Sequence, residues 1–173
     1  MASEGPDPRK AALRAGARGA RGRERGIAAR AALERLLALE ELNSARVAAF
    51  YRAIGDEVPV EVAAQSCRAR GARVVYPIVA GVELELAPEP DATRVRAEEV
   101  DVFVVPGLLF DRTGRRLGRG GGHYDRLLAR RRVGAILVGV AYADRVVDEL
   151  PEDPWDVAMH ALVTDRFVLR VAR

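Results

Sequence analysis

Short apolar runs that alternate with helical segments constrain the fold of this chain more than any other sequence feature. Val102–Val105 is apolar at every position, and Val74–Val79 and Ala135–Val140 are similar runs. A strand with one solvated face alternates polar and apolar residues, whereas a strand apolar on both faces lies inside a parallel sheet covered by helices. We therefore predict an α/β fold: a three-layer, Rossmann-like domain with a mostly parallel central sheet flanked by helices.

The other elements are predicted from periodicity and from Pro and Gly positions. Because no linker or internal repeat interrupts the pattern, we expect one domain over residues 1–173, opening with a basic helical segment over about 7–42. In chain order we predict a helix at Ile27–Leu42, a strand at Ala45–Tyr51, a helix from Pro59 to Arg70, an edge strand at Val82–Leu86, loops at 87–99 and 111–122, a helix at His123–Arg132, a helical turn at Val146–Leu150, and strands at Leu162–Thr164 and Phe167–Val171.

Composition excludes several classes of protein. Apolar residues make up 49% of the chain and charged residues 31%, which is typical of a globular domain. Cys67 is the only cysteine, so there is no intrachain disulfide. No apolar run approaches the roughly 20 residues that a membrane span needs, and we expect a cytoplasmic monomer without membrane contact. The formal charge of +3 permits anionic ligands without requiring nucleic acid.

The stretch from Val104 to Arg126, VVPGLLFDRTGRRLGRGGGHYDR, carries the strongest functional signal. It leads from a strand through Gly118–Gly122, four of whose five residues are glycine, directly into a helix. Glycines let main-chain N–H groups approach a ligand, a helix N-terminus attracts anions, and Arg115, Arg116 and Arg119 add cations. The spacing matches neither G-x-x-x-x-G-K-[ST] nor G-x-G-x-x-G. We predict a polyphosphate site. Ordering four glycines costs much backbone entropy, and a loop that only joined a strand to a helix would not need them.

Three charged residues are candidates for the same site. Asp125, in the first turn of the helix, is a candidate Mg²⁺ ligand beside a triphosphate, although it would also complement the helix dipole. Asp156 is a candidate second carboxylate, and alternatively a turn former after Pro154. Lys10 is the only lysine among 28 basic residues, which favours a role for a compact ammonium, with chance at a terminus as the alternative.

The 104–126 stretch resembles the signature of the 5-formyltetrahydrofolate cyclo-ligases, also called methenyltetrahydrofolate synthetases. The resemblance covers nearly the whole chain in order, since the family opens with a helix carrying Lys-x-x-x-Arg, similar to Lys10–Arg14 here. Further segments similar to the family pattern are Phe50-Tyr51 through Val58, Val74–Pro77, Glu89-Pro90, Gly139–Tyr142, Pro151–Asp156 and Val163–Asp165.

The resemblance implies ATP-driven conversion of 5-formyltetrahydrofolate to 5,10-methenyltetrahydrofolate, with release of ADP and phosphate. The partners would be ATP as co-substrate, Mg²⁺ and a reduced folate. Asp125 and Asp156 would hold Mg²⁺, and Glu57 and Arg52 would bind the substrate together with Tyr124. Arg119 and Tyr124 would be catalytic. ATP would be held by Lys10, Arg14, Arg116, Leu117, Gly118, Arg119, Gly120, Gly121, Gly122, His123 and Tyr124.

Two departures from the family pattern leave alternatives open. His123 stands where relatives usually carry tyrosine, but histidine keeps a flat ring that can hydrogen-bond. The segment over about 78–90 is shorter than in relatives, so the folate half of the site is trimmed. The chain could therefore bind nucleotide with an altered substrate or without turnover. A nucleic-acid binder using the Arg-rich N-terminal stretch is a further alternative, although that stretch lacks interleaved aromatic residues for stacking.

Overall fold

The computed structural model describes residues 7–19, 25–88 and 92–171. Within these ranges the helices are α1 Pro8–Gly19, α2 Arg25–Leu37, α3 Glu40–Ser44, α4 Glu61–Ala69 and α5 His123–Ala129, with 3-10 turns at Ala97–Glu99 and Ala143–Arg145. The strands are β1 Val47–Ala49, β2 Arg73–Ala80, β3 Glu83–Ala87, β4 Val102–Val105, β5 Leu109–Asp111, β6 Arg116–Leu117, β7 Ile136–Val140, β8 Val146–Val147, β9 Ala161–Val163 and β10 Val168–Arg170.

The central sheet has the strand order β10-β9-β7-β4-β1-β2-β3. β9, β7, β4, β1 and β2 are parallel, and the antiparallel strands β10 and β3 form the two edges. The predicted three-layer, mostly parallel α/β fold is therefore confirmed, and the edge strand expected at Val82–Leu86 is present as β3. The winding direction of the chain reverses between β1 and β4, and open α/β sheets bind ligands at the carboxyl ends of the strands at such a reversal.

Both faces of the sheet are buried, which explains the continuous apolar runs. Along β4, Val102 and Val104 join the core cluster beneath α2 and α4, whereas Phe103 and Val105 join the cluster beneath α5. Side chains of a strand alternate between faces, so a strand covered on both sides must be apolar at every position.

The helix predicted over Ile27–Leu42 is two helices in the structure. α2 ends at Leu37 and α3 starts at Glu40, because Leu39 adopts extended backbone angles of φ −70° and ψ 124°. The Asn43 side chain donates to the Leu37 carbonyl at 3.0 Å and stabilises the break. The break lets both Leu39 and Leu42 pack into the core, which the helical periodicity of the sequence did not indicate.

Two predictions were wrong in part: the loop at 111–122 and the helical turn at Val146–Leu150. β5 and β6 form a hairpin, and Val146–Val147 is a strand that pairs with β5 in a second, small sheet. The fully buried carboxylate of Asp111 organises this region, since it accepts hydrogen bonds from the N–H groups of Thr113, Arg115 and Leu150. Strands of two or three residues are too short to show a sequence period.

Several predicted boundaries also shift. The strand at Ala45–Tyr51 contracts to β1, the helix expected from Pro59 starts at Glu61, and the helix expected to reach Arg132 ends at Ala129. Of the predicted basic segment, residues 20–24 lie outside the described ranges, as does the Glu89-Pro90 pair. Over the residues that are described, no helix has the length and apolar character needed to cross a membrane.

Gly139 of β7 provides a test of this packing. A Cβ at this position would lie 2.6 Å from Phe110 Cε1 and 2.8 Å from Leu162 Cδ2, far inside a normal carbon–carbon contact. We expect Gly139→Ala to lower the free energy of unfolding by about 1–3 kcal/mol, as overpacking of a core does, measured by chemical denaturation.

Gly16→Ala is the matched control, because a Cβ at this position in α1 would meet nothing within 4 Å. This change should instead raise the free energy of unfolding, by about 0.5–1 kcal/mol, since alanine loses less backbone entropy in a helix. A Gly139→Ala protein as stable as the unaltered chain would contradict the packing described here.

Candidate active site

One cleft collects the site residues predicted from the sequence, with the exception of Arg115. It has a volume of about 350 Å³ and lies where the segments after β1 and β4 leave the sheet, at the reversal of strand order. Arg115, expected beside the phosphates, instead lines a wider groove of about 910 Å³ along α1, where it pairs with Asp111 and Glu152. The predicted residues that line the smaller cleft are Lys10, Arg14, Arg52, Glu57, Arg116, Leu117, Gly118, Arg119, Gly120, Gly121, Gly122, His123, Tyr124, Asp125 and Asp156.

The glycine loop, residues 118–122, needs glycine for its backbone conformation. Gly120 has φ +108° and Gly122 has φ +63°, values that side-chain-bearing residues rarely adopt. The Gly118 carbonyl accepts a hydrogen bond from Arg14 Nε at 3.0 Å, and the Gly121 carbonyl accepts one from Arg126 Nη2 at 3.0 Å.

The N–H groups of the glycine loop are unpaired. No acceptor among the described residues is bonded to the amides of Arg119, Gly120, Gly121 or Gly122. In a trans peptide the carbonyl and the next N–H point in opposite directions, so the amides of Arg119 and Gly122 face away from Arg14 and Arg126. Arg119, Gly120 and Gly121 are exposed, so these donors are accessible to water or to an anionic ligand.

Arg116 and Tyr124 form the buried floor beside the loop. Arg116 Nη2 donates to Asp125 Oδ1 at 2.9 Å, and the guanidinium lies 5.5 Å from the centre of the Tyr124 ring. Arg116 Nε is buried and has no hydrogen-bond partner in the described structure. Burial raises the pKa of Tyr124, and the Glu57 carboxylate raises it further against the opposing effect of Arg116. Tyr124 is therefore a neutral hydroxyl near neutral pH.

Lys10 is nearly fully buried between two carboxylates. Its Nζ lies 2.6 Å from Asp153 Oδ2 and 2.5 Å from Asp156 Oδ2, and Asp156 also accepts a bond from the Asp153 N–H at 2.8 Å. Burial alone would lower the pKa of Lys10, but hydrogen bonds to Asp153 and Asp156 outweigh it and raise the pKa. These contacts attach α1 to the 153–156 turn and hold the ammonium charged at the cleft.

An ion pair joins two further predicted site residues. Arg119 Nη2 lies 2.9 Å from Glu57 Oε1 and also donates to the Ile54 carbonyl at 3.2 Å. Glu57 Oε2 accepts the Ile54 N–H at 2.9 Å, so the carboxylate is held by its own loop. The side chain of Glu57 is 12% exposed and that of Arg119 is 49% exposed, so Arg119 can turn toward a ligand at little cost in burial.

The opposite wall of the cleft comes from the β2–β3 hairpin. Pro77, Val79 and Leu84 line the cleft from this side, and Arg52 stacks over the Tyr76 ring at 4.2 Å. His123 Nδ1 lies 2.9 Å from the Val82 carbonyl oxygen at the hairpin turn. The short segment noted in the sequence therefore still supplies an apolar wall.

Asp125 and Asp156 are carboxylates of the kind that bind a divalent metal, and phosphate oxygens of a bound ligand would fill the remaining coordination positions. The Val157 N–H approaches Asp125 Oδ1 at 3.4 Å, which brings this carboxylate beside the residue that follows Asp156. Across the described ranges, no group of three or more His, Cys, Asp or Glu side chains could hold a metal by itself. Mg²⁺ is commonly held by one or two carboxylates together with phosphate oxygens and water.

Sequence reasoning missed three residues that line or support the cleft. Asp153 shares Lys10 with Asp156, Arg126 holds the glycine loop, and Trp155 lines the cleft with its side chain largely exposed. Asp153 could have been suggested by its spacing of three residues from Asp156. Nothing in the sequence indicates the role of Arg126, because its partners are main-chain carbonyls.

Lys10→Met tests the buried charge cluster. The change leaves two half-buried carboxylates without their cation, and we expect the free energy of unfolding at pH 7 to fall by about 3 kcal/mol. Because the pKa of Lys10 is raised, its contribution is complete below the unfolded lysine pKa of about 10.4 and is lost as the pH rises through the folded value. Urea denaturation at a series of pH values measures both effects.

A second change, Asp153→Asn, supplies the control. Added to Lys10→Met, it removes one of the unpaired carboxylates and should recover part of the lost stability. If the double variant is less stable than Lys10→Met alone by the full cost of Asp153→Asn, the two residues are not coupled and the arrangement is refuted.

Known proteins match both the sequence and the fold. The sequence model of the 5-formyltetrahydrofolate cyclo-ligase family matches residues 8–165. The chain is 34% identical over 146 residues to a 5-formyltetrahydrofolate cyclo-ligase of Mycolicibacterium smegmatis, covering 71% of this chain and 75% of that protein. The NMR structure of Aquifex aeolicus 5,10-methenyltetrahydrofolate synthetase superposes with a TM-score of 0.81 at 32% identity, covering 95% of this chain and 93% of that one.

A second solved structure is equally similar. The 5,10-methenyltetrahydrofolate synthetase of Mycoplasma pneumoniae superposes with a TM-score of 0.81 at 28% identity, covering 90% of this chain and 98% of that one. The sequence match extends from α1 through the turn after β9, and thus includes every segment that lines the cleft. This chain belongs to the 5-formyltetrahydrofolate cyclo-ligase family.

Proposed function

We propose that this chain catalyses the ATP-dependent cyclisation of 5-formyltetrahydrofolate to 5,10-methenyltetrahydrofolate, with release of ADP and phosphate. Membership of the family supports the reaction. The observation that carries the proposal is the run of four unpaired main-chain amides at Arg119–Gly122, which lies in a cleft with arginines and two carboxylates.

The loop amides and the cations around them form a site for the triphosphate. The amides of the glycine loop donate to phosphate oxygens, Arg119 extends from the loop itself, and Arg116 and Lys10 lie beside it. Arg116 and Lys10 are held by carboxylates before ligand binds. These cations are therefore already ordered, so little side-chain entropy is lost when phosphate arrives.

The chemistry proceeds in two displacements. The formyl oxygen of the substrate attacks the γ-phosphorus, and the bond from that phosphorus to the β–γ bridging oxygen breaks, releasing ADP. N10 then attacks the formyl carbon and loses its proton, and the carbon–oxygen bond breaks as phosphate leaves. The product is the N5=CH–N10 cation, so the reaction needs orientation and neutralisation of phosphate charge more than an acid–base pair.

Arg119 and Tyr124 would act on the transferring phosphoryl group. The half-exposed guanidinium of Arg119 can exchange the Glu57 carboxylate for a γ-phosphate oxygen. Tyr124, a neutral hydroxyl because its pKa is raised, can donate a hydrogen bond to the same group. Both residues thus stabilise negative charge that moves during the transfer.

Asp125 and Asp156 would hold Mg²⁺. When bound, the ion would neutralise part of the negative charge of the triphosphate. Each carboxylate already lies against a cation, Arg116 for Asp125 and Lys10 for Asp156, and both residues line the cleft.

The folate would occupy the side of the cleft that faces the β2–β3 hairpin. Pro77, Val79 and Leu84 offer apolar surface for a flat ring, and Glu57 offers a carboxylate for ring N–H donors once Arg119 turns away. Arg52 lies on the same wall and suits an anionic group of the substrate.

Nucleotide binding without turnover is a second candidate. It is favoured by the Glu57–Arg119 ion pair, which occupies the substrate carboxylate, and by the high exposure of Val79 at 70% and Val82 at 72% on the short hairpin. Incubation with Mg-ATP and 5-formyltetrahydrofolate distinguishes the two, since only the cyclo-ligase produces the absorbance of methenyltetrahydrofolate. ATP binding without product would favour this second candidate.

Gly120→Ala tests the loop amides. Gly120 has φ +108°, and its Cβ would meet the Arg14 side chain at ordinary contact distances, with Nε nearest at 3.6 Å, so the change acts through the backbone rather than through a clash. Turning even one amide away from phosphate removes a charge-assisted hydrogen bond, and we expect the KM for ATP to rise about 10-fold or more. Initial rates at varied ATP concentration measure it.

Gly71→Ala is the control for backbone strain. Gly71 also has a positive φ, +89°, with open space around its Cα, but it follows α4 and does not line the cleft. This variant should lose stability while its KM for ATP changes less than about twofold. Equal KM values for ATP in both variants would refute the role of the loop.

Asp125→Asn tests the proposed metal ligand. Replacing one carboxylate should raise the Mg²⁺ concentration for half-maximal rate by about 10-fold or more. Asp144→Asn serves as the control, because Asp144 is exposed, pairs with Arg25 and lies outside the cleft. An unchanged Mg²⁺ dependence in Asp125→Asn would remove Asp125 from the metal site.

A further inference from the structure

Arg126 connects the glycine loop to the β2–β3 hairpin. Its Nη2 donates to the Gly121 carbonyl at 3.0 Å and to the Val82 carbonyl, and its Nε lies 3.2 Å from Glu83 Oε1. Arg126 does not line the cleft, so it has no direct route to a ligand there. Its contacts are with the main chain that forms the cleft.

We propose that Arg126 is a positioning residue for the nucleotide. By bonding the Gly121 carbonyl from outside the cleft, it fixes the peptide plane between Gly121 and Gly122. The N–H of Gly122 then points the opposite way, toward the position of the phosphates. This inference rests on the proposed function, since it assigns Arg126 a role in presenting an amide to ATP.

The packing around Gly122 supports this role. Gly122 has a positive φ, and a Cβ at this position would lie 2.9 Å from Arg126 Nη1, so a side chain there would displace the guanidinium. The main-chain N–H of Arg126 donates to the Gly122 carbonyl at 3.1 Å. Arg126 therefore bonds two successive carbonyls of the loop, one with its side chain and one with its main chain.

The same guanidinium ties the two halves of the cleft together. Val82 lies at the turn of the β2–β3 hairpin, whose Val79 lines the proposed folate wall. Both carbonyls can accept from Nη2 at once because this nitrogen carries two N–H donors, and Nε remains available to pair with Glu83. Without Arg126, the glycine loop should lose its attachment to the hairpin, and the peptide plane between Gly121 and Gly122 should be able to rotate.

Arg130 is a closely matched control on the neighbouring turn. It follows α5, and its Nη2 donates to the Leu84 carbonyl of the same hairpin at 2.9 Å, but it makes no bond to the glycine loop. Arg130→Ala removes a positive charge and an arginine-to-β3 bond, as Arg126→Ala does. The difference between the two variants isolates the contact with Gly121.

Calorimetric titration of Mg-ATP, inorganic tripolyphosphate and adenosine into the full chain tests the role. We expect Arg126→Ala to bind ATP and tripolyphosphate about 10- to 100-fold more weakly, the effect of one lost hydrogen bond to a charged group. Adenosine binding should be unchanged, and Arg130→Ala should match the unaltered chain within about twofold. In kinetics, the KM for ATP should rise while the KM for 5-formyltetrahydrofolate changes less.

Arg126→Lys separates positioning from simple charge. An ammonium keeps the positive charge but has one nitrogen on a differently shaped side chain, so it cannot bond the two carbonyls as Nη2 does while a second nitrogen pairs with Glu83, and the ATP affinity of Arg126→Lys should remain closer to that of Arg126→Ala than to that of the unaltered chain. Full recovery by lysine, or equal ATP affinity in Arg126→Ala and Arg130→Ala, would overturn the positioning role while leaving the proposed function intact. Failure of the unaltered chain to bind ATP would overturn both.

Discussion

The direction in which the peptide groups of residues 118–122 point is the constraint on which the cleft depends. Arg126 from α5 bonds the Gly121 carbonyl from outside the cleft, and Arg14 from α1, which lines the cleft, bonds the Gly118 carbonyl. The trans geometry of the peptide bond then turns the adjacent amides away from them. A loop in which four of five residues are glycine adopts these backbone angles readily. Hydrogen bonds from other elements are needed to keep it in that conformation, because glycine has the greatest backbone freedom.

Charge balance in the cleft follows from the same arrangement. Arg116 pairs with Asp125, Lys10 with Asp153 and Asp156, and Arg119 with Glu57. Buried charges without partners are costly, so a cleft built for a highly charged ligand needs internal partners before the ligand arrives. Under the proposed function, phosphate oxygens would become partners of the three cations, and a divalent ion would become a partner of Asp125 and Asp156.

Local and strongly patterned features could be predicted from the sequence. The apolar run at Val102–Val105 indicated a parallel strand because both of its faces are buried, and the run of glycines at 118–122 indicated a loop that approaches a ligand through its backbone. The run at Val74–Val79 is buried only over Val74–Tyr76 and continues into the antiparallel β2–β3 hairpin. Apart from Arg115, the residues chosen for the site line one cleft.

The features that sequence reasoning missed depend on long-range contacts. The strand at Val146–Val147 forms because β5 offers an edge, and the break at Leu39 lets two leucines reach the core. Asp153 binds Lys10, and Arg126 donates to the Val82 carbonyl, across the fold. A side chain that bonds a main-chain carbonyl many residues away leaves no pattern in the sequence, so these roles become visible only in three dimensions.

Amide chemical shifts test the central claim most directly. In a ¹⁵N–¹H NMR titration of the chain with Mg-ATP, the amides of Arg119, Gly120, Gly121 and Gly122 should move downfield and show the largest changes of any glycine-loop or hairpin residues, because each gains a phosphate acceptor. If ATP binds while these four amides keep their positions and the changes fall elsewhere, the loop does not hold the phosphates and the account is wrong.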